Sequence, residues 1–422
     1  MSTGHRRALA SARRLWHEEP MLRPAALLSL LALLACSPSG TPAPAVPVPA
    51  PAASEPPVVA PVAPAADPAP AELRVGTSGD YAPFSLRNAD GALSGFDVEL
   101  AERLASDLGL GLRWVPFRWP ELNALIERGE LDVAMGGVTW QPARAVVGYM
   151  TRAVARGGPC LLGDASARRV GVNHGGVLEA WARGHLADRE LVVVDDNQSL
   201  PRLLESGSVG AIVTDSFERR AFERPGWRSR CEPALARKVY WVGPARAAEL
   251  GTRIDAWLAQ NSAWIQEAQE RWFGQRQKLD ATTHLVDLLA RRLAFMPIVS
   301  AFKEQRGLSI EDLAREREVL DAAAAAARSA GLPEAKVVEL FALQIELSKA
   351  VQQRQREPSS LDVPGQVRPA LSELGERIVQ ALAVARAERQ LERLELSDLE
   401  LVSPWLVPAE SERLLASLRA IQ

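Results

Sequence analysis

Between Leu73 and Asp215, short β-branched runs alternate with amphipathic stretches twice over, and after Lys278 the strand-like runs stop. The first series reads "ELRVGTS", "GFDVELAERLASDLG", "LRWVPF", "WPELNALIERG" and "LDVAMGG". The second reads "RRVGVNHGG", "VLEAWARGHL", "ELVVVD", "SLPRLLESG" and "VGAIVTD". Strand–helix alternation of this kind predicts an α/β domain with a mainly parallel sheet. Two such series predict two lobes with a ligand held in the cleft between them. The rest of the chain, rich in Ala, Leu, Glu, Arg and Gln, has helical texture throughout.

At 422 residues the chain is too long for one ordinary domain. A net charge of -3 leaves no electrostatic footprint for nucleic acid. No CxxC or HExxH spacing occurs and the five histidines are scattered, so neither a metal nor another cofactor is expected. The N-terminus carries basic residues up to Arg23, then "AALLSLLALLA", then Cys36. That apolar run is too short to span a bilayer comfortably and has the length of a signal-peptide core. From Ser37 to about Pro70 the chain is almost entirely Pro, Ala, Val and Ser, the composition of an extended tether. In an exported protein Cys160 and Cys231 are expected to pair as a disulfide rather than remain two thiols.

The segment "LLAC" resembles the lipobox of bacterial lipoproteins, which implies cleavage before Cys36, lipidation of its thiol and a membrane-anchored periplasmic protein. An ordinary secretory signal cleaved nearby is the alternative, and Met21 is a second candidate start. "LRVGTSGDYAPFSLRNADGALSGFDVELAERLASDLGL" and "GELDVAMGGVTWQPAR" resemble the periplasmic amino-acid-binding proteins. Within that superfamily "TSGDYAPFS", "WPELNALIERGELDVAMGG" and "VGVNHGGVLEAWAR" look most like the cyclohexadienyl dehydratases. The resemblance implies a two-lobed α/β fold in which Arg144 clamps a ligand carboxylate and Asp215 marks the second-lobe side. Tyr81 and Thr139 would line the same cleft, and Gly175 and Gly176 would offer backbone N–H groups to an anion. Glu179 falls on the position of the family's proposed general acid.

The second resemblance begins at "LLARRLAFMPIVSAFK", where a single helix would place Arg292 and Lys303 on one face, eleven residues or about three turns apart. "LSIEDLAREREVLDAAAAAARSAG" opens on Ser309 with Asp312 three residues on, a start like a capping box, and ends at Gly331. "PEAKVVELFALQIELSKAVQQRQ" sets Gln344, Ser348 and Gln352 in a polar stripe beside Phe341, Ile345 and Val351. Arginine, then "AFK", then "IEDLAR", then "QIELSKAVQ" resembles the secreted gamma-type chorismate mutases, an all-α family. Carried over, Arg292 and Arg315 bind the two carboxylates of chorismate. Lys303 and Gln352 donate to its ether oxygen, Asp312 and Ser348 contact its hydroxyl and a carboxylate, and Arg368 closes the pocket.

The expected organisation is a multidomain chain: signal peptide 1–36, Pro/Ala-rich linker 37–72, a two-lobed α/β periplasmic-binding-protein domain 73–277, and an all-α chorismate mutase domain 278–422. The expected substrates are chorismate, then prephenate or arogenate. Two other readings stay open: a mutase fused to a non-catalytic carboxylate-binding module, and a transport receptor with a degenerate helical appendage.

Overall fold

The computed structural model describes residues 71–421. The expected leader, the expected tether up to Pro70 and Cys36, the residue expected to be lipidated, lie outside the described residues. The first lobe is built on strands β1 (Glu72–Thr77), β2 (Gly111–Pro116), β3 (Val133–Ala134) and β4 (Tyr149–Met150). The chain then crosses over through β5 (Ala155–Gly157) and builds a second sheet from β6 (Pro159–Gly163), β7 (Arg169–Asn173), β8 (Glu190–Val194), β9 (Ala211–Asp215) and β10 (Ser229–Cys231). It returns through β11 (Ala236–Lys238) and adds β12 (Trp241–Val242) to the first sheet. The strand orders are β2-β1-β3-β12-β4 and β8-β7-β9-β6-β10.

β1 runs parallel to β2 from Glu72 opposite Gly111 to Thr77 opposite Pro116, and β7 is parallel to both β8 and β9. Neither sheet is purely parallel. β12 enters antiparallel to β3 and β4, and β6 pairs antiparallel with β9 and β10, because each lobe receives chain arriving from the other. The two crossings pair with each other, Ala236 to Lys238 against Gly157 to Ala155, and this ribbon is the hinge. Cys160 and Cys231 lie opposite each other on β6 and β10 and are disulfide-bonded.

Helices cover the sheets: α1 (Phe96–Asp107) and α2 (Leu122–Glu127) on the first lobe, α3 (Val177–His185) and α4 (Leu200–Glu205) on the second. α5 (Ala247–Gln260) and α6 (Ser262–Phe273) follow the return crossing. α1 buries Phe96, Val98, Leu100, Ala101 and Leu104, the stripe that a 3.6-residue period dictates.

From Ala281 onward the described chain contains helices and no strand: α7 (Ala281–Ala294), α8 (Met296–Gln305), α9 (Leu313–Ser329), α10 (Glu334–Arg354), α11 (Arg368–Ala387) and α12 (Pro408–Arg419). Two expectations change here. The stretch holding Arg292 and Lys303 is two helices rather than one, broken at Phe295 ahead of Pro297. Proline has no N–H for the preceding turn and its ring crowds that turn's carbonyl. α9 starts at Leu313, capped by the Asp312 carboxylate, which accepts from Arg315 N–H at 3.1 Å, so Ser309 is not its cap. The Glu316 carboxylate reaches back to Asp312 N–H at 3.4 Å.

The helical part packs directly on the first lobe. Leu285, Leu289 and Phe295 belong to one apolar cluster with Phe117, Trp140, Met150 and Trp241. Through this contact runs a buried ion network. Arg291, wholly inaccessible, donates to Met150 O at 3.1 Å and Thr151 O at 2.9 Å and pairs with Asp287 at 2.6 Å. Asp287 also pairs at 2.9 Å with Arg237 of the hinge strand β11. One carboxylate therefore serves two buried guanidiniums. Asp287→Ala leaves both unanswered and is expected to destabilise the protein by about 3–5 kcal/mol, read from urea unfolding.

Candidate functional site

Two cavities gather the candidate residues. The first lies between the lobes, lined by Tyr81, Trp119, Gly137, Thr139, Arg144 and Lys238 on one side and Asn173, Gly176, Val177, Leu178, Asn197 and Glu218 on the other. Its volume is about 40 Å³, room for roughly one water. The lobes meet across it: Gln198 Nε2 donates to Asp80 O at 2.7 Å, and Gly175 lies under Pro120. Gly175 has φ +76°, and a Cβ there would sit 2.7 Å from Pro120 Cγ, so both the turn and the closure require glycine. A ligand with a six-membered ring must part the lobes to enter.

Arg144 is buried and donates to Thr139 O at 2.9 Å, while its Nε has no partner. No carboxylate among the described residues pairs with it, and burial pulls its pKa down to about 10. A desolvated guanidinium without an anion is a costly arrangement that an incoming carboxylate relieves. Asp215 is also buried. Its Oδ1 accepts from Phe217 N–H at 2.9 Å and Glu218 N–H at 3.0 Å, and its Oδ2 lies 3.0 Å from Lys238 Nζ. Lys238 donates to the Tyr81 hydroxyl at 2.7 Å and to Thr139 Oγ1 at 3.3 Å.

Two carboxyls near this cleft differ sharply. Burial pushes Glu179 up, but the Gly175 amide (2.7 Å) and Arg183 (2.5 Å) outweigh it and hold the carboxyl below its ordinary range. Glu179 is therefore a carboxylate at neutral pH, and it is not among the residues lining the cavity. Glu218 lines the cavity and is wholly buried. Burial, then the charge of Asp215, raises its pKa well above the usual range, against the hydroxyl of Thr214 (2.8 Å) and the amide of Asn197. Of the two carboxyls it is the one whose surroundings favour the protonated form.

The second cavity, about 280 Å³, lies within the helical part. It brings together Arg292 of α7, Lys303 of α8, Asp312 and Arg315 at the start of α9, Ser348 and Gln352 of α10, and Arg368 of α11. The break before Pro297 does not separate Arg292 from Lys303; both line this space. Lys349, Glu311 and Glu316 complete the charges that line it. Arg315 pairs with Glu318 at 2.8 Å, whereas Arg292 and Lys303 pair with no carboxylate among the described residues. Lys349 pairs with Glu316 at 3.1 Å, and Arg368 lies 3.5 Å from Asp312. Burial, then the neighbouring Arg315, lowers the Arg292 pKa to about 10, and its Nε has no partner. Lys303 donates to Ile310 O at 2.5 Å. Burial comes first in lowering its pKa, and the repulsion of Arg368 and Lys349 adds to this against the attraction of Asp312. Ser348 Oγ and Gln352 Oε1 are buried without partners, while Gln352 Nε2 meets only the sulfur of Met296 at 3.6 Å. Buried polar groups are normally satisfied, so this cluster is arranged for a polar guest.

Sequence reasoning missed Trp119, Asn173, Asn197, Glu218 and Lys238 in the cleft and Lys349 in the helical cavity. Glu218 carried one signal, its place three residues after Asp215, whose carboxylate caps the turn between them. Lys238 carried none, since only the pairing of the two crossings brings it to the cleft.

The sequence profile of the bacterial extracellular solute-binding proteins, family 3, matches residues 73–396. Cyclohexadienyl dehydratase of Pseudomonas aeruginosa is 31% identical over 217 residues, covering 45% of this chain and 78% of that protein. A secreted chorismate mutase of Yersinia pestis is 32% identical over 120 residues, covering 26% of this chain and 61% of that protein. A solved ancestral amino acid-binding protein, described as a precursor of cyclohexadienyl dehydratase, aligns with a TM-score of 0.45 at 25% identity. That alignment covers 48% of this chain and 95% of the other.

Proposed function

The chain belongs to the bacterial extracellular solute-binding proteins, family 3, and from that footing we propose that it is an exported two-site enzyme of aromatic amino acid biosynthesis. The helical domain rearranges chorismate to prephenate, and the cleft of the binding-protein domain dehydrates prephenate to phenylpyruvate. The observation that carries the first activity is the helical cavity itself, with Arg292 and Lys303 lacking carboxylate partners and with orphaned buried polar groups. Chorismate is a dianion. Its rearrangement is pericyclic and needs no nucleophile, metal or base. Negative charge gathers on the breaking ether oxygen, so fixed donors there stabilise the transition state. Arg292 and Arg315 hold the carboxylates, Lys303 and Gln352 donate to the ether oxygen, Asp312 and Ser348 orient the substrate, and Arg368 covers it.

Gln352 never needs a proton to donate, so the mutase rate should be flat through neutral pH. It should fall on the alkaline side as Lys303 deprotonates, below the range of an ordinary lysine. Gln352→Glu should move the optimum towards acid, because only a protonated carboxyl donates. Identical pH–rate profiles for the two proteins would remove Gln352 from the ether oxygen.

In the cleft, Arg144 and the amides after Gly175 hold carboxylates, and Tyr81 and Trp119 wall the ring. Dehydration expels carbon dioxide and hydroxide, and the hydroxide must leave as water, so a neutral acid is required. The resemblance assigned this role to Glu179. Its ionised state between Gly175 and Arg183 argues instead that it positions the start of α3, and we assign the proton to Glu218. Asp215 would ordinarily welcome an ammonium group, but Lys238 already answers its charge at 3.0 Å. This favours prephenate over arogenate, and it disfavours a module for capturing amino acids. The test is to supply each compound separately. Prephenate should be consumed faster, and preferential turnover of arogenate would overturn the assignment. The lipid anchor at Cys36, periplasmic residence and the domain limits at 73–277 and 278–422 belong to the same proposal.

A further inference from the structure

A third cavity, about 460 Å³, lies where α5 and α6 of the binding-protein domain face α7 and α11 of the helical domain. Neither proposed reaction uses it. Its polar walls are Arg152, His284 and Arg377, and its apolar walls include Leu279, Ala259 and Val384. Three acids also line it, and each is already engaged. Asp255 accepts from the Tyr149 hydroxyl at 2.7 Å and the Arg152 backbone N–H at 2.6 Å, and pairs with Arg377 at 3.1 Å. Asp280 caps α7 by accepting from Thr283 N–H at 2.8 Å, and pairs with Lys278 at 3.2 Å. Glu388, at the exposed rim, accepts from Gln390 Nε2 at 2.6 Å.

The Arg152 guanidinium pairs with no carboxylate among the described residues, and its buried Nε has no partner. His284 Nδ1 is likewise buried and unpartnered. Burial first, then the surrounding Arg152, Arg377 and Arg291, keep that imidazole neutral, so it can donate or accept as a guest requires. A roomy cavity with convergent orphaned polar groups and apolar walls has the build of a small-molecule site.

We propose that this seam binds a small monocarboxylate with an apolar body. The guanidinium fork of Arg152 takes the carboxylate and His284 adds a hydrogen bond. The apolar body lies against Leu279, Ala259 and Val384. Arg152, without a carboxylate partner, offers one positive charge, and the nearby Asp255, Asp280 and Glu388 disfavour a dianion such as phosphate. The guest would touch both domains, since Arg152 follows β4, His284 lies on the helix bearing Arg292, and Arg377 lies on the helix bearing Arg368.

The experiment is calorimetric titration with phenylacetate in an Arg144→Ala/Arg292→Ala background, which removes from each of the other two sites an arginine placed on a carboxylate. Saturable binding is expected, together with a rise in the melting temperature. Arg152→Gln in that background should weaken it at least about tenfold, the scale of a lost charge-assisted pair. Ala259→Phe, which fills the cavity and leaves the charges, should block it as well. Phenethylamine, with the same body and opposite charge, should not bind. Absence of phenylacetate binding, equal binding of phenethylamine, preference for inorganic phosphate, or binding indifferent to both substitutions would each overturn the site.

Discussion

Replacing Lys303 with alanine is expected to lower the rate of chorismate rearrangement by roughly 10²–10³-fold, the cost of losing one fixed donor to a developing oxyanion. The fold should survive, because the ammonium makes one hydrogen bond within the protein, to Ile310 O. It attracts Asp312 and Glu316 and repels Arg368 and Lys349 across the cavity, so its loss removes interactions of both signs. The decisive comparison is kinetic. The substitution should depress kcat and kcat/KM alike, since the interaction is made chiefly in the transition state. Prephenate consumption by the same variant should be unchanged, since Lys303 lies outside the cleft. Near-normal mutase turnover in folded Lys303→Ala would remove the helical cavity from the reaction.

The second large effect concerns which carboxyl protonates the leaving hydroxide. Glu218→Gln keeps the size of the side chain and much of its bonding to Thr214 and Asn197, but it has no acidic proton. Phenylpyruvate formation is expected to fall by about 10²–10⁴-fold, the usual worth of a general acid, with prephenate affinity retained. Glu179→Gln should act on KM more than on kcat, because it loosens Gly175 and the start of α3 rather than removing the proton. The reverse pattern would return the acid to Glu179. Environment separates the two groups: burial beside another acid favours the neutral form of Glu218, and an amide and an arginine favour the ionised form of Glu179.

Much of this architecture was legible as pattern. The runs at "ELRVGTS" and "VGAIVTD" are strands buried in sheet interiors, and their β-branched, unbroken character marked them. α10 was legible because Gln344, Ser348 and Gln352 repeat every four residues beside the apolar Phe341, Ile345 and Val351. Pairings between distant segments were not legible. Nothing local in "ARKVY" says that Arg237 turns outward to Asp287 while Lys238 turns inward to Asp215, since alternation along the hinge ribbon decides it. The burial of Arg291 escaped notice for the same reason: its carbonyl partners, Met150 and Thr151, lie about 140 residues earlier. The break between α7 and α8 was legible at Pro297, but the continuous apolar spacing around it outweighed that single residue.

The most direct measurement is a time course of the purified protein with chorismate as the sole substrate, following chorismate, prephenate and phenylpyruvate together. Chorismate should disappear, prephenate should rise and then fall, and phenylpyruvate should accumulate in its place. Glu218→Gln should stop the course at prephenate, and Lys303→Ala should all but stop it at chorismate. Prephenate that accumulates in the wild-type protein and is never consumed would make the cleft a binding module, and chorismate that persists unchanged would contradict the account at its root.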